Sequence, residues 1–283
     1  MRNLNFWYKN DSSVWKVATT IIIAVCAIFF IYPMLFVVIN SFRPNADIIV
    51  NPTGLPLKPF FGNYVQAWAE MNFPKVFLNT LLVTVLGTGG IILFSAMCAY
   101  GLARSNTKIS WILYGFFAFY LVIPFQIIMV PLGVLAADLH LMSVPGLIPM
   151  YWGLGCPTAI FMFHGFIKSV PKELEESAAI DGAGRFYIFF RIVFPLIKTI
   201  IATIAVIDAL WIWNDYLLPY LVLDRTKYMT IPIHVQYLKG SYGTVDLGAT
   251  MAVIMISIIP VIIVYLCCQK YIIKGVAAGA VKG

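Results

Sequence analysis

The 283-residue chain is 61% hydrophobic and only 11% charged, with a mean hydropathy of +0.90 and a formal net charge of +7. A soluble domain carries roughly 25% charged residues, so a water-soluble globule is excluded and the chain belongs in a bilayer. The surplus of lysine and arginine is scattered through short loops and forms no nucleic-acid patch; the tendency of cytoplasmic loops to be basic accounts for it. Cys26, Cys98, Cys156, Cys267 and Cys268 all sit in apolar runs, with no C-x-x-C pair and no His at ligand spacing. They read as packing residues, without disulfides or a metal site.

The first apolar run, 14–39, is too long for a signal-peptide core and has no obvious small-residue cleavage site, so it is read as a spanning helix. About 20 apolar residues cross the hydrocarbon core, and five more runs qualify: 76–103, 111–136, 144–167, 192–218 and 247–273. The fold class is therefore all-α, a single transmembrane domain over 1–283 with six transmembrane helices. With both termini in the cytoplasm, only Arg43, Lys58, Lys75, Arg225, Lys227 and Lys239 of the 19 lysines and arginines fall outside, which favours that orientation.

The outer loop 40–75 carries Pro44, Pro52, Pro56, Pro59 and Pro74 and reads as irregular, with a possible interfacial helix over 64–71. The third run contains Pro124, Gln126 and Pro131. Proline removes a backbone hydrogen bond and kinks a helix. In lipid such a break is tolerated where protein or a water-filled cavity satisfies the freed groups. A pathway-lining helix and a static kink are both open readings there and at Pro157. His164 reads as a polar residue near the cytoplasmic end of its span.

Between the fourth and fifth runs lies the one long polar segment, 168–191. Pro171 suits a first helical turn, and Glu173, Glu175 and Glu176 lie near the positive end of the helix dipole. Leu174, Ala178 and Asp181 share a face, and Ser177, Ala178 and Ala179 keep the middle small. Gly182 and Gly184 end the helix, because glycine tolerates the left-handed conformation. A short, smooth helix at a membrane surface is suited to being gripped by another protein.

The fifth run is the most unusual chemically. Asp208 interrupts it, and an intramembrane acid is a functional candidate by default. In a continuous helix Asp208, Trp211 and Asp215 would share one face. Trp213, Asn214 and Tyr216 cluster beside it. Rings next to hydrogen-bonding groups suit a sugar; an interfacial aromatic belt is the competing reading, as is an interhelical hydrogen bond for Asp208.

The stretch Glu176-Ser177-Ala178, three residues, Gly182, nine residues, Ile192-Val193-Phe194-Pro195 resembles the EAA loop of ABC importer permeases. Ser177 departs from the usual Ala and Phe194 from the usual Leu. Trp211-Ile212-Trp213-Asn214-Asp215-Tyr216 with Pro219 resembles the fifth span of carbohydrate-uptake permeases of the maltose-transporter type. The outer stretch with Gly240-Ser241-Tyr242-Gly243 resembles the loop that reaches into the sugar-binding protein. The ending Gly279-Ala280-Val281-Lys282-Gly283 resembles the tail of the smaller permease subunit.

That resemblance implies a permease subunit of an ATP-driven importer of di- or oligosaccharides. Its partners would be a second permease in a heterodimer, an ATPase dimer, an extracellular or periplasmic sugar-binding protein, and lipid, with no nucleic acid. Its place would be the bacterial inner or plasma membrane, multi-pass. Coupling to the ATPase would fall to Glu175, Glu176, Ser177, Ala178, Asp181, Gly182 and Ala183. The substrate pathway would involve Gln126, Asp208, Trp211, Trp213, Asn214, Asp215 and Tyr216, and the binding-protein loop Gly240, Ser241, Tyr242 and Gly243.

No G-x-x-x-x-G-K-[ST] occurs, so ATP and Mg would sit on the partner subunits and this chain would bind no cofactor. Neither G-x-S-x-G nor H-E-x-x-H occurs, leaving no visible hydrolase machinery. The alternatives are an ABC permease for another small solute and a membrane-embedded enzyme using Asp208 and Asp215.

Overall fold

The computed structural model describes residues 13–238 and 246–280, the last stretch from 267 by backbone only, and among them every regular element is helical. In order they are α1 (Ser13–Ser41), α2 (Asn45–Val50), α3 (Gly62–Glu70), α4 (Phe73–Arg104), α5 (Lys108–Tyr120), α6 (Phe125–Asp138), α7 (Val144–Lys168), α8 (Glu173–Ile180), α9 (Arg185–Ile188), a π-helical turn (Phe189–Val193), α10 (Phe194–Leu196), α11 (Lys198–Asn214), α12 (Leu217–Val222), α13 (Ile231–Leu238) and α14 (Leu247–Ala280).

Trp15–Ser41, Phe73–Arg104 and Val144–Lys168 are each long and apolar enough to cross a bilayer. Two helix pairs qualify only together and are sharply bent: Lys108–Tyr120 with Phe125–Asp138 by 100°, and Arg185–Leu196 with Lys198–Asn214 by 77°. The described residues thus supply three candidate spans, or up to five if each bent pair crosses once. Over the sixth expected run they supply a shorter apolar helix, Leu247–Ile263. The first bend follows from Pro124, whose ring disfavours helical geometry in the residue before it; its own backbone is extended at φ −69, ψ 140. The second follows a π-helical turn that runs into Pro195, which has no N–H to donate to the preceding turn. Pro149 and Pro157, by contrast, sit inside an unbroken α7.

The chain divides into two compact units. The first draws on residues 1–70 and 238–256. The segment that follows α1 is built around a buried cation. Arg43 donates to Asn40 Oδ1 at 2.7 Å and to the carbonyls of Asp47 and Pro52 at 3.0 and 3.4 Å. Asn63 Nδ2 in turn holds the carbonyls of Ser41 and Arg43 at 2.9 and 2.8 Å. These bonds satisfy backbone groups that a proline-rich loop leaves open, and they order α2 and α3 where an irregular loop with one helix over 64–71 is expected. Asn45 Oδ1 accepts from Leu247 N at 3.0 Å and Asp246 Oδ1 from Ala249 N at 3.0 Å, capping α14.

The second unit draws on residues 71–237 and 257–283. Its core is the long contact between α4 and α7, with α11 against α4 and α5 beside α7. Apolar burial gives little driving force between helices in lipid, so small residues that allow close approach must supply the packing. The buried face of α4 is of this kind, with Gly87, Thr88, Ser95, Ala96, Ala99 and Ala103. Opposite them Leu147, Tyr151, Phe163 and Ile167 are fully buried on α7. Trp152 of α7 reaches across to donate its indole N–H to the Leu86 carbonyl at 3.0 Å. It can do so only because residue 90 is glycine: a Cβ there would overlap the indole ring. At the other end of α7, His164 is buried and stacks on Tyr114 at 3.9 Å, and Lys168 lies over the Trp111 ring at 5.0 Å.

Gly90→Ala is expected to cost about 1–3 kcal/mol through overpacking, seen as a lower melting temperature of the detergent-solubilised protein. Gly89→Ala, where a Cβ meets nothing within 4 Å, should leave the melting temperature unchanged or raise it.

Candidate functional site

The loop 168–191 folds as α8 followed by a tight turn and α9. Pro171 precedes the helix: Lys172 is the N-cap, and its carbonyl accepts from Glu175 N at 2.9 Å and Glu176 N at 3.0 Å. The three glutamates stand in the first turn, where the helix dipole favours them. Ser177 Oγ bonds back to the Glu173 carbonyl at 2.9 Å and presents no free side-chain donor. Asp181 caps the C-terminus and Gly182 follows at φ +87. Only glycine adopts that left-handed conformation cheaply; a Cβ there would meet nothing within 4 Å, so the constraint is torsional. Ala183 N returns to the Ala178 carbonyl at 2.9 Å, closing the turn.

The helix buries none of its residues. Glu176, Ser177, Asp181 and Gly182 are exposed, and Ala178 and Ala183 are half-buried against the core. Ala178, Asp181, Gly182, Ala183, Gly184 and Tyr187 line a hollow of ≈ 450 Å³. Ile180, Phe186 and Tyr187 stand exposed around the turn. The loop therefore offers small residues in a concavity, with apolar side chains and carboxylates at its edge, which is a shape for a protein partner.

Glu175 behaves differently from its neighbours. Its side chain is 11% exposed and turned onto the end of α4. Oε2 accepts from Tyr100 Oη at 2.8 Å, and Oε1 accepts from Arg104 Nε at 2.8 Å and from Arg104 Nη2. Arg104 Nη2 also holds the Val170 carbonyl at 3.0 Å. A larger cavity of ≈ 640 Å³ opens beside this cluster, lined by Met97, Tyr100, Arg104, Arg185, Phe186 and Phe189 among others.

At its far end α11 stops at Asn214, and the backbone of Asp215 is extended at ψ 120. Asp215 consequently leaves the helical face that Asp208 and Trp211 share. Its carboxylate starts the next helix: Oδ1 accepts from Leu217 N at 2.9 Å, and Oδ2 accepts from Tyr151 Oη at 2.9 Å. Tyr151 also packs edge-on against Trp211, with centroids 5.4 Å apart. Asp208 is 8% exposed, and its Oδ2 has no hydrogen-bond partner among the described residues. Trp213 is buried against Phe77 at 5.9 Å, Asn214 donates back to the Leu210 carbonyl at 2.8 Å, and Tyr216 leans on Tyr220 at 4.9 Å. Gln126 is exposed in the first turn of α6, just past the bend. Gly240, Ser241, Tyr242 and Gly243, and the tail residues Val281, Lys282 and Gly283, lie outside the described residues.

Residues 90–278 match the family of binding-protein-dependent transport system inner membrane components. The chain belongs to that family. As a transport component it is not an enzyme. This permease is 37% identical over 269 residues to the probable starch degradation products transport system permease protein AmyC of Thermoanaerobacterium thermosulfurigenes, covering 95% of this chain and 98% of AmyC. It is 36% identical to the multiple sugar-binding transport system permease protein MsmG of Streptococcus mutans, covering 95% of this chain and 96% of MsmG. Among solved structures, the permease resembles a chain of a bacterial ABC transporter involved in the import of the acidic polysaccharide alginate, with a TM-score of 0.82 at 23% identity, covering 93% of this chain and 98% of that one. At that identity the likeness speaks for the fold.

Tyr100, Arg104 and Tyr151 are absent from the residues that the sequence singles out. Arg104 reads there only as one basic loop residue. Tyr151 carries a weak signal, since a phenol in an apolar run must find a partner when buried.

Asp215→Ala should destabilise the permease by about 1 kcal/mol for the lost cap and about 1–3 kcal/mol for the stranded Tyr151 hydroxyl. Asp215→Asn keeps an acceptor and should lose less. In a thermal-melt series, Tyr151→Phe combined with Asp215→Ala should cost less than the sum of the single changes, because the two groups share one bond.

Proposed function

We propose that this permease is one half of the membrane pore of an ATP-driven importer of di- or oligosaccharides. The observation that carries the reading is the match, over nearly the full length of both chains, to proteins named as permeases for starch degradation products and for multiple sugars. The chain crosses the membrane six times with both termini in the cytoplasm, which puts 168–191 on the cytoplasmic side. A second permease completes the pore, an ATPase dimer holding ATP and Mg drives it, and an extracellular or periplasmic binding protein delivers the sugar to the outer loops. The lysine and arginine distribution supports that orientation.

In this reading α8 seats in a cleft of the ATPase. Glu176, Ser177, Ala178, Asp181, Gly182 and Ala183 form the contact, with the small residues admitting the partner closely and the exposed carboxylates at the rim. Glu175 belongs to the same loop. Asp208 and Trp211 face the sugar pathway, the free Oδ2 of Asp208 being an acceptor for a sugar hydroxyl. Trp213, Asn214, Asp215, Tyr216 and Gln126 shape the walls of that pathway. Transport follows when ATP and sugar bias two discrete arrangements of the helices in opposite senses. A permease for another small solute would fit the fold but not the names of these relatives.

The reading is tested by purifying the chain from its native membrane and reconstituting what co-purifies in vesicles. A second permease, a P-loop ATPase and ATP-dependent sugar accumulation are expected; a chain that purifies alone, or vesicles that accumulate amino acids instead, would overturn it. Gly182→Asp is expected to insert normally while ATP hydrolysis no longer drives uptake, because a Cβ strains the left-handed turn behind α8 and a further carboxylate is placed at the contact. Normal sugar accumulation by that variant would remove Gly182 from the coupling role.

A further inference from the structure

The coupling helix must pass a push to the spans, and the contacts around α8 show by which route. α8 buries none of its residues fully, and its apolar packing against the core is slight, with Ala178 half-buried there. Chain continuity joins it to α7 before and to the bent α9–α11 segment after. The side-chain bonds lead elsewhere. Glu175 takes three bonds, all from α4: from Tyr100 Oη, Arg104 Nε and Arg104 Nη2. Tyr100 and Arg104 are one turn apart on one face of α4. The same guanidinium holds the Val170 carbonyl, so it grips the start of the loop as well as the helix. A planar guanidinium with several fixed donors can tie two chain segments at a defined angle where a lysine cannot. The pair is largely withdrawn from water, at 15% and 11% side-chain exposure, and is screened less than a surface pair. Glu176, the next residue, is exposed.

We infer that Glu175 is a positioning residue that acts inside this chain, clamping α8 to the end of α4 through Arg104 and Tyr100, so that movement of α8 is delivered to α4. This rests on reading 168–191 as the coupling loop. It gives Glu175 a task separate from the residues that touch the ATPase. Because α4 lies along both α7 and α11, a displacement of its end reaches the core of the second unit without passing through the bends at Pro124 or Ile197.

The test uses the whole transporter in proteoliposomes, with Glu175→Gln, Arg104→Gln and the exchange Glu175→Arg with Arg104→Glu. Spin labels at Asn106 and Lys172, both exposed, report the α4–α8 distance in a chain freed of its own cysteines. The expected wild-type result is one narrow distance distribution. Each single change should broaden it and lower sugar taken up per ATP hydrolysed by about tenfold, within the range of coupling between linked sites. The exchange should narrow the distance again and recover most of the coupling. Glu173→Gln, on an exposed neighbour without a bond to α4, should change neither. The inference is overturned if Glu175→Gln keeps both the narrow distance and full coupling. It is overturned equally if coupling is lost with the distance unchanged and the exchange does not restore it, since Glu175 would then be acting on the ATPase. The distance arm needs no transport, so failure of the importer reading would appear in the uptake of the wild type alone.

Discussion

Everything in the second unit depends on how closely α4 can approach α7. Lipid is as apolar as leucine, and two spanning helices gain little by hiding leucines from it. What remains is contact at short range and bonds between polar groups that have nowhere else to go. The sequence of α4 meets that condition on one face with glycine, alanine, serine and threonine. The opposite face is left to lipid or to neighbouring chains, as Leu82, Val85, Leu86 and Leu93 show by their exposure. Once the backbones are close, an indole on one helix can reach a carbonyl on the other, and a phenol at residue 151 can reach the carboxylate that starts α12. The polar contacts are consequences of the approach.

The short helix α8 gains from the same approach. It is exposed and has little core of its own, so it must borrow rigidity. It does so from the end of α4 through one withdrawn ion pair and a tyrosine. Such a pair is weak evidence of stability, since desolvation offsets much of its attraction. It is a good way to set a position, because breaking it leaves a charge with no partner.

The apolar runs were legible because composition alone marks a spanning segment, and the left-handed turn after α8 was legible because Gly182 is the residue that such a turn requires. The bends were not: hydropathy counts residues without direction, so 111–136 reads as one kinked helix although the chain turns by 100° within it. The break before Asp215 escaped for a related reason. Helical periodicity assumes that the helix continues, and here the carboxylate that would have shared the face caps the next helix instead. The bond between Arg104 and Glu175 spans 71 residues and leaves no local pattern. Arg43 was hidden in the opposite way, as a loop cation whose buried role depends on carbonyls that only the folded loop gathers.

The indole of Trp152 seated on Gly90 has one more consequence. Packed helices can move past one another by a full turn, about 5.4 Å, if the next position offers an equivalent hole. Four residues from Gly90 in either direction stand Leu86 and Phe94, both bulky, and three residues before it Gly87 already faces Tyr151 and Ile212. Neither hole is an empty copy of the one at Gly90, so the seated ring resists a one-turn slip of α4 against α7.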